Sequence, residues 1–144
     1  MEILTMFKTV LFPIDQSRET RHAVETVANL VKTYQSRLVL LSVVEPPEPD
    51  TEAPTGPEAV MHSPEAVEKL LTGAKTLFTE QGIEAETLER EGMVSFTICD
   101  VADELEADLI IMGCRGTGLT TEGAAESVTN RVINLSPCPV LIVP

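Results

Sequence analysis

The eight residues Arg37–Val44, RLVLLSVV, restrict the fold of this chain more than any other segment. A near-continuous apolar run of this length fits a strand covered on both faces, as in the interior of a parallel sheet. A helical pattern at about 17–34 precedes it, and an apolar, β-branched segment at 6–14 precedes that helix. Strand, helix and strand of these lengths predict a right-handed βαβ unit.

The remaining chain continues this alternation. The predicted elements are a helix opening at 63–64, a more polar strand at 83–90, a helix at 95–106, a strand at 107–112, a helix at about 122–135 and a last strand at 140–143. The order βαβαβαβαβ predicts one α/β domain spanning residues 1–144. Its expected core is a doubly wound, five-stranded parallel sheet with four helices, a Rossmann-like α/β/α sandwich.

The segment 45–62 does not fit the alternation. It carries five prolines and five acids and has no periodic apolar face. This composition predicts a long, exposed and mobile loop. Two interpretations stay open: a solvated insertion, or a segment that binds a partner or closes over a site.

Charge and composition narrow the classes of partner. Ten Lys and Arg residues against 23 Asp and Glu give a formal charge of −13, which disfavours nucleic acid and anionic membranes as partners. The chain has no apolar run of about 18 residues and no signal-peptide pattern, so we expect a cytoplasmic protein. Cys99, Cys114 and Cys138 lack CxxC spacing and suggest neither a disulfide framework nor a zinc site.

A glycine-rich segment follows the predicted strand at 107–112. Four glycines lie between residues 113 and 123, ahead of a helical pattern. Glycines and the first turn of a helix expose backbone amides to an anion, although the same glycines also fit an ordinary turn. In doubly wound sheets, ligands bind at the carboxyl ends of strands where the strand order reverses. We expect Pro13, Asp15, Val43, Val44 and Gly113 to meet there.

Other nucleotide motifs are missing. The dinucleotide fingerprint GxGxxG should follow the first strand, where the sequence reads Pro13-Ile14-Asp15-Gln16-Ser17, and the P-loop pattern is absent. His22 and His62 accompany no plausible nucleophile. No catalytic constellation is evident.

Three separated segments resemble the universal stress protein family. They read FPIDxS at 12–17, ADLIIMGCRG at 107–116 and SPCPVLIV at 136–143. The resemblance covers essentially the whole chain. It implies the adenine-nucleotide α-hydrolase-like fold, a role in the stress response and a homodimer through the strand Val140–Val143, which covers an otherwise exposed apolar edge.

Members of this family that bind ATP resemble the pattern G-x2-G-x9-G-[ST]. Gly113 and Gly116 match the first two glycines, and Ser127 matches the hydroxyl position. Glu126 occupies the place of the third glycine. The pattern is therefore three-quarters present.

The resemblance also implies which residues contact an adenine nucleotide. They are Asp15 and the Val43 backbone for adenine; Met112 and Gly113 for the ribose; Gly116, Ser127 and Val128 for the phosphates; and Pro13, Ile14, Arg115, Glu126 and Thr129 in the same site. The implied ligand is ATP or another adenine nucleotide, with Mg²⁺ when phosphates are bound.

Glu126 is the departure from the ATP-binding pattern that bears on phosphate binding. A carboxylate about 4–5 Å from a phosphate repels it by roughly 3–4 kcal/mol at an effective dielectric constant near 20. The side chain can also point outward, and Arg115 can offset part of its charge. The sequence suggests an intact adenosine half and an impaired triphosphate half.

Two classes of function follow. The first is a regulatory protein that binds an adenine nucleotide, with at most slow ATP hydrolysis by analogy with the family. The alternative is a dimeric interaction module that needs no nucleotide and meets a protein partner through the loop 45–62 or its exposed faces.

Overall fold

Strands and helices alternate along the part of the chain that the structure describes. The computed structural model describes residues 6–14, 18–44, 64–113 and 124–144, with the backbone alone at 18–21, 64 and 124–127; the predicted loop 45–62 lies outside these ranges. The elements are β1 (Thr9–Pro13), α1 (Arg18–Tyr34), β2 (Arg37–Val44), α2 (Pro64–Glu80), β3 (Ala85–Glu91), α3 (Val94–Glu104), β4 (Leu109–Gly113), α4 (Ala124–Leu135) and β5 (Val140–Val143). This order confirms the predicted alternation. Within the described ranges, no helix combines the length and hydrophobicity needed to cross a membrane.

The strands form one parallel sheet in the order β3-β2-β1-β4-β5. Leu11 in the middle of β1 lies opposite Val39 of β2 and Ile110 of β4. The chain adds strands on one side of β1 first and then on the other, so the strand order reverses between β1 and β4. Within the described ranges, the predicted doubly wound, five-stranded sheet with four helices is therefore confirmed.

Two hydrophobic clusters cover the two faces of the sheet. The first cluster lies against α1 and α2 and includes Val27 and Phe78. The second cluster lies against α3 and α4 and includes Ile98 and Val132. Helices therefore cover both faces, as an α/β/α sandwich requires.

The interior strand β2 contributes to both clusters. Leu38 and Leu40 belong to the first cluster, whereas Val39 and Leu41 belong to the second. All four side chains are buried, because successive residues of a strand point to opposite faces and both faces are covered. The apolar run in the sequence has the burial that was predicted from it.

The two edge strands differ in polarity. In β3, Ala85 is buried while Glu86 and Glu89 are exposed, which agrees with the predicted polar strand near an edge. Arg37 of β2 holds Glu86 by two hydrogen bonds, one from Nε to Oε2 and one from Nη2 to Oε1 at 2.9 Å. In β5, all four apolar residues of Val140–Val143 are half-buried.

Helix α3 ends two residues earlier than predicted. Glu106 lies in the left-handed region, with a φ of +53°. The amide of Ala107 donates to the carbonyl of Ala102 at 2.8 Å, which closes the helix in the manner of a Schellman motif. The apolar spacing that predicted the helix does not reveal this backbone reversal.

Strand β1 begins at Thr9, three residues later than predicted. Met6 and Phe7 form a turn, in which Phe7 has a φ of +56°. The ring of Phe7 packs edge-on against Tyr34, with 5.0 Å between the ring centroids. The apolar side chain of Phe7 therefore packs against the end of α1 and takes no part in sheet pairing, whereas Met6 is exposed.

Candidate functional site

The carboxyl ends of β1, β2 and β4 lie side by side. Pro13, the last residue of β1, lies opposite Leu41 of β2. The Ile14 amide continues this pairing by donating to the Leu41 carbonyl at 2.8 Å. On the other side of β1, β4 ends at Gly113. This edge, at the reversal of strand order, is where open α/β sheets hold their ligands.

Several predicted site residues share the second cluster. Met112 is buried in it, and the half-buried Val43 and Val128 pack against it. Val43, the residue before the end of β2, lies on the face that α3 and α4 cover. Ile14 is buried instead in the first cluster, so the predicted residues at this edge are divided between the two faces of the sheet.

Several of the predicted phosphate contacts lie near the amino end of helix α4. Residues 126 and 127 lie in its first turn. Thr129, in the second turn, is buried, with 7% of its surface exposed. Since α4 follows β4, its amino end lies at the carboxyl edge of the sheet. The first turn of a helix carries unpaired amides and partial positive charge, which favour an anion.

Part of the predicted site lies outside what the structure describes. Asp15, Arg115 and Gly116 are not in the described ranges, and of Glu126 and Ser127 only the backbone is described. The direction of the Glu126 side chain therefore stays a prediction, as does its effect on phosphate.

The amino end of α3 reaches the same edge of the sheet. Gly92, between β3 and α3, donates its amide to the Val44 carbonyl at 2.9 Å. Its φ is +151°, and a Cβ at this position would lie 2.6 Å from Oγ1 of Thr97. Glycine is thus required where the chain turns from β3 into α3.

Ser95 is a residue of this edge that sequence reasoning missed. It is only 1% exposed, and its Oγ has no hydrogen-bond partner in the described structure. A signal was present, because Ser95 occupies a position of the apolar stripe that continues through Ile98 and Ala102. A polar residue on such a stripe requires a partner.

The described cysteines show no sign of a nucleophile. Burial raises the pKa of both Cys99 and Cys138, so both thiols are protonated at neutral pH. The Ser136 hydroxyl lies 3.7 Å from Cys138 Sγ. Across the described ranges, no three His, Cys, Asp or Glu side chains group as metal ligands.

Comparisons with known proteins agree with this architecture. The model of the universal stress protein family matches residues 6–144. A universal stress protein of Synechocystis is 67% identical over 141 residues, which cover 96% of this chain and 87% of that protein.

Solved structures show the same fold. The universal stress protein UspA from Lactobacillus plantarum superposes with a TM-score of 0.77 at 23% identity, covering 96% of this chain and 99% of its own. A universal stress protein in complex with cAMP gives a TM-score of 0.74 at 22% identity, covering 95% and 97%. Since the family model covers nearly the whole chain, this protein belongs to the universal stress protein family.

Proposed function

We propose that this protein binds an adenine nucleotide at the carboxyl edge of its sheet and acts as a regulatory protein of the cytoplasmic stress response. The observation that carries the proposal is that β1, β2 and β4, which carry Pro13, Val43 and Gly113 at their carboxyl ends, are neighbouring strands at the reversal of strand order. The complex of a structurally similar family member with cAMP supports an adenine nucleotide as the ligand class.

The base and ribose lie over the ends of β1, β2 and β4 in this proposal. Asp15 and the backbone of Val43 face the adenine. Met112 and Gly113 face the ribose, where Gly113 leaves room because it has no Cβ. The half-buried Val43 provides an apolar contact for the flat base.

The phosphates lie at the amino end of α4. Gly116, Ser127 and Val128 contact them, and the first-turn amides of α4 supply positive potential. Arg115 adds a cation and Glu126 adds a repelling carboxylate. We therefore expect ligands with few phosphate charges, such as AMP, cAMP and adenosine, to compete well with ATP. Mg²⁺ accompanies the ligand when it carries a polyphosphate.

Calorimetry tests this function. Protein freed of carried-over nucleotide is titrated with adenosine, AMP, cAMP, ADP and ATP, each with magnesium. We expect micromolar binding for at least one ligand. Asp15→Asn should weaken it, whereas Asp100→Asn, an exposed acid on α3, should not. A folded protein that gives no heat with any of the five ligands would disprove the proposal.

A second candidate function is a dimeric interaction module that needs no nucleotide. The observation in its favour is strand β5, whose apolar residues are half-buried beside β4 and meet no further strand within the described chain. Ile133 and Leu135 of the adjoining α4 are exposed. A second copy pairing through Val140–Val143 would cover this edge.

Sedimentation of the purified protein tests the dimer. We expect a dimer for the wild type and a shift toward monomer for Ile142→Lys, which places a charge in the edge. Thr76→Lys, on the exposed face of α2, is the control. A monomeric wild type at micromolar concentration would contradict the dimer and leave the nucleotide proposal to its own test.

A further inference from the structure

The first turn of α3 contains a buried hydroxyl without a partner. Ser95 is 1% exposed, and its Oγ forms no hydrogen bond within the described structure. A buried polar atom of this kind is costly, because it loses its bonds to water and gains none from protein. Most such atoms in native proteins have a partner, so Ser95 requires a specific explanation.

The hydroxyl lies on the sheet-facing side of α3. Ser95, Ile98 and Ala102 follow one another at helical spacing and all are buried. Ile98 and Ala102 pack in the second cluster. Ser95 is thus the outermost buried member of this stripe, at the end of the helix nearest the carboxyl edge of the sheet.

The same turn of α3 lies beside the end of β2. The Gly92 amide donates to the Val44 carbonyl at 2.9 Å, which fixes the entry to α3 against β2. Val43 packs against the second cluster, the same cluster that α3 covers. The side chains of Val43 and Ser95 therefore share one face of the sheet, and both residues lie at its carboxyl edge.

The N-cap residue of α3 does not cap the helix with its own side chain. Met93, the N-cap residue, has extended backbone angles (φ −74°, ψ 126°) and makes no side-chain cap hydrogen bond. The first intrahelical bond runs from the Thr97 amide to the Met93 carbonyl at 2.8 Å. The amino end of a helix carries partial positive charge, which favours a polar acceptor such as a ring nitrogen.

We propose that the Ser95 hydroxyl hydrogen-bonds to the polar edge of a nucleobase that lies at the carboxyl edge of the sheet, beside the first turn of α3 and the end of β2. The inference rests on the proposed nucleotide function and adds a specificity-determining residue to it. Adenine offers ring-nitrogen acceptors and an exocyclic amine, and a hydroxyl can pair with either. Ser95 Oγ is enclosed, so the first turn of α3 must shift for the base to reach it.

Binding of adenosine analogues tests the contact. Ser95→Ala should weaken adenosine binding about fivefold to tenfold, the effect of one hydrogen bond. The analogues are purine riboside, 3-deazaadenosine and 7-deazaadenosine, each of which lacks one polar group of the base edge. For the analogue that lacks the partner of Ser95, the affinities of wild type and variant should become equal. Thr76→Ala removes an exposed hydroxyl on α2 and is the matched control.

Thermal unfolding gives a second, independent readout. Without nucleotide, Ser95→Ala should unfold at the same temperature as the wild type or higher, because it removes an unpaired hydroxyl. With saturating adenosine, the rise in unfolding temperature should be smaller for the variant. A variant that is destabilised without nucleotide would show that the hydroxyl is paired within the protein, and this would overturn the proposal.

The outcomes separate the two proposals. If adenosine and the nucleotides fail to bind the wild type, the proposed function fails and the Ser95 contact fails with it. If adenosine binds wild type and Ser95→Ala equally, the nucleotide function stands and the Ser95 contact alone is wrong.

Discussion

Thr9 and Asp108 hold the beginnings of β1 and β4 together by a reciprocal pair of hydrogen bonds. The Thr9 amide donates to Oδ2 of Asp108 at 2.9 Å, and the Asp108 amide donates to the Thr9 carbonyl at 2.8 Å. The pair closes the amino end of the β1–β4 ladder, opposite to the end at which the proposed ligand lies. Loss of this hydrogen-bond pair should therefore lower the stability of the fold and leave the affinity for the ligand unchanged.

Replacing Asp108 should lower the free energy of unfolding. Asp108→Ala leaves the buried Thr9 amide without its acceptor, and we expect a loss of about 1–2 kcal/mol. Asp108→Asn keeps an acceptor oxygen and should lose about half as much. Urea unfolding measures both, and equal stabilities for wild type and Asp108→Ala would contradict the assignment. Adenosine affinity should be unchanged in each variant.

Replacing Gly92 or Gly73 by alanine should change the free energy of unfolding in opposite directions. Gly92→Ala should destabilise by about 1–3 kcal/mol, because the φ of +151° is strained for alanine and the new Cβ would lie 2.6 Å from Thr97 Oγ1. Gly73→Ala lies within α2, where a Cβ meets nothing within 4 Å. It should stabilise by about 0.5–1 kcal/mol. Denaturant unfolding of both variants checks the pair, and the same sign for both would refute it.

The ion pair of Arg37 and Glu86 should make a small, pH-dependent contribution to stability. The guanidinium hydrogen bond lowers the pKa of Glu86. A carboxylate with a lowered pKa stabilises the folded state above the ordinary glutamate range, and this contribution disappears as the pH falls through the folded-state pKa. Both side chains are exposed, so we expect less than about 1 kcal/mol.

Glu86→Gln measures this contribution. The difference in unfolding free energy from the wild type should be present at about pH 7 and shrink toward about pH 3, and it should shrink in about 1 M salt. Glu89→Gln, on the same strand, is the control. A difference that grows as the pH falls would have the wrong sign for a lowered pKa.

Cys99 and Cys138 should react slowly with thiol reagents in the folded protein. Burial raises the pKa of both thiols, so little thiolate is present at neutral pH. Cys99, which is buried, should react more slowly than the half-buried Cys138. Peptide mapping after timed maleimide labelling gives both rates, with urea-unfolded protein as reference. If Cys99 in the folded protein were labelled as fast as in the urea-unfolded protein, its burial would be contradicted.

The sequence predicted the order of elements because each depends on a periodic apolar pattern. Arg37–Val44 became an interior strand for the reason anticipated, since both faces of β2 are covered. Boundaries were less accurate where the backbone changes conformation without a change in hydrophobicity. Glu106 and Phe7 have positive φ, and nothing in their side chains indicates it.

The candidate site was predictable to the extent that it follows from strand order. Doubly wound topology indicated that the ends of β1, β2 and β4 would meet, and the strand order shows that they do. Which side chains point into the site depends on tertiary packing. Ser95 went unrecognised because a small polar residue at a helix start also fits an ordinary helix turn.

The unequal edges of the sheet limit how the protein can assemble. One margin, β3, is lined by exposed Glu86, Glu89 and Arg90, while the other, β5, is apolar. Charged margins resist the addition of a strand. If two copies join through β5, the doubled sheet has charged margins on both outer sides. Such a complex would be self-terminating, because neither outer margin would readily add a further strand.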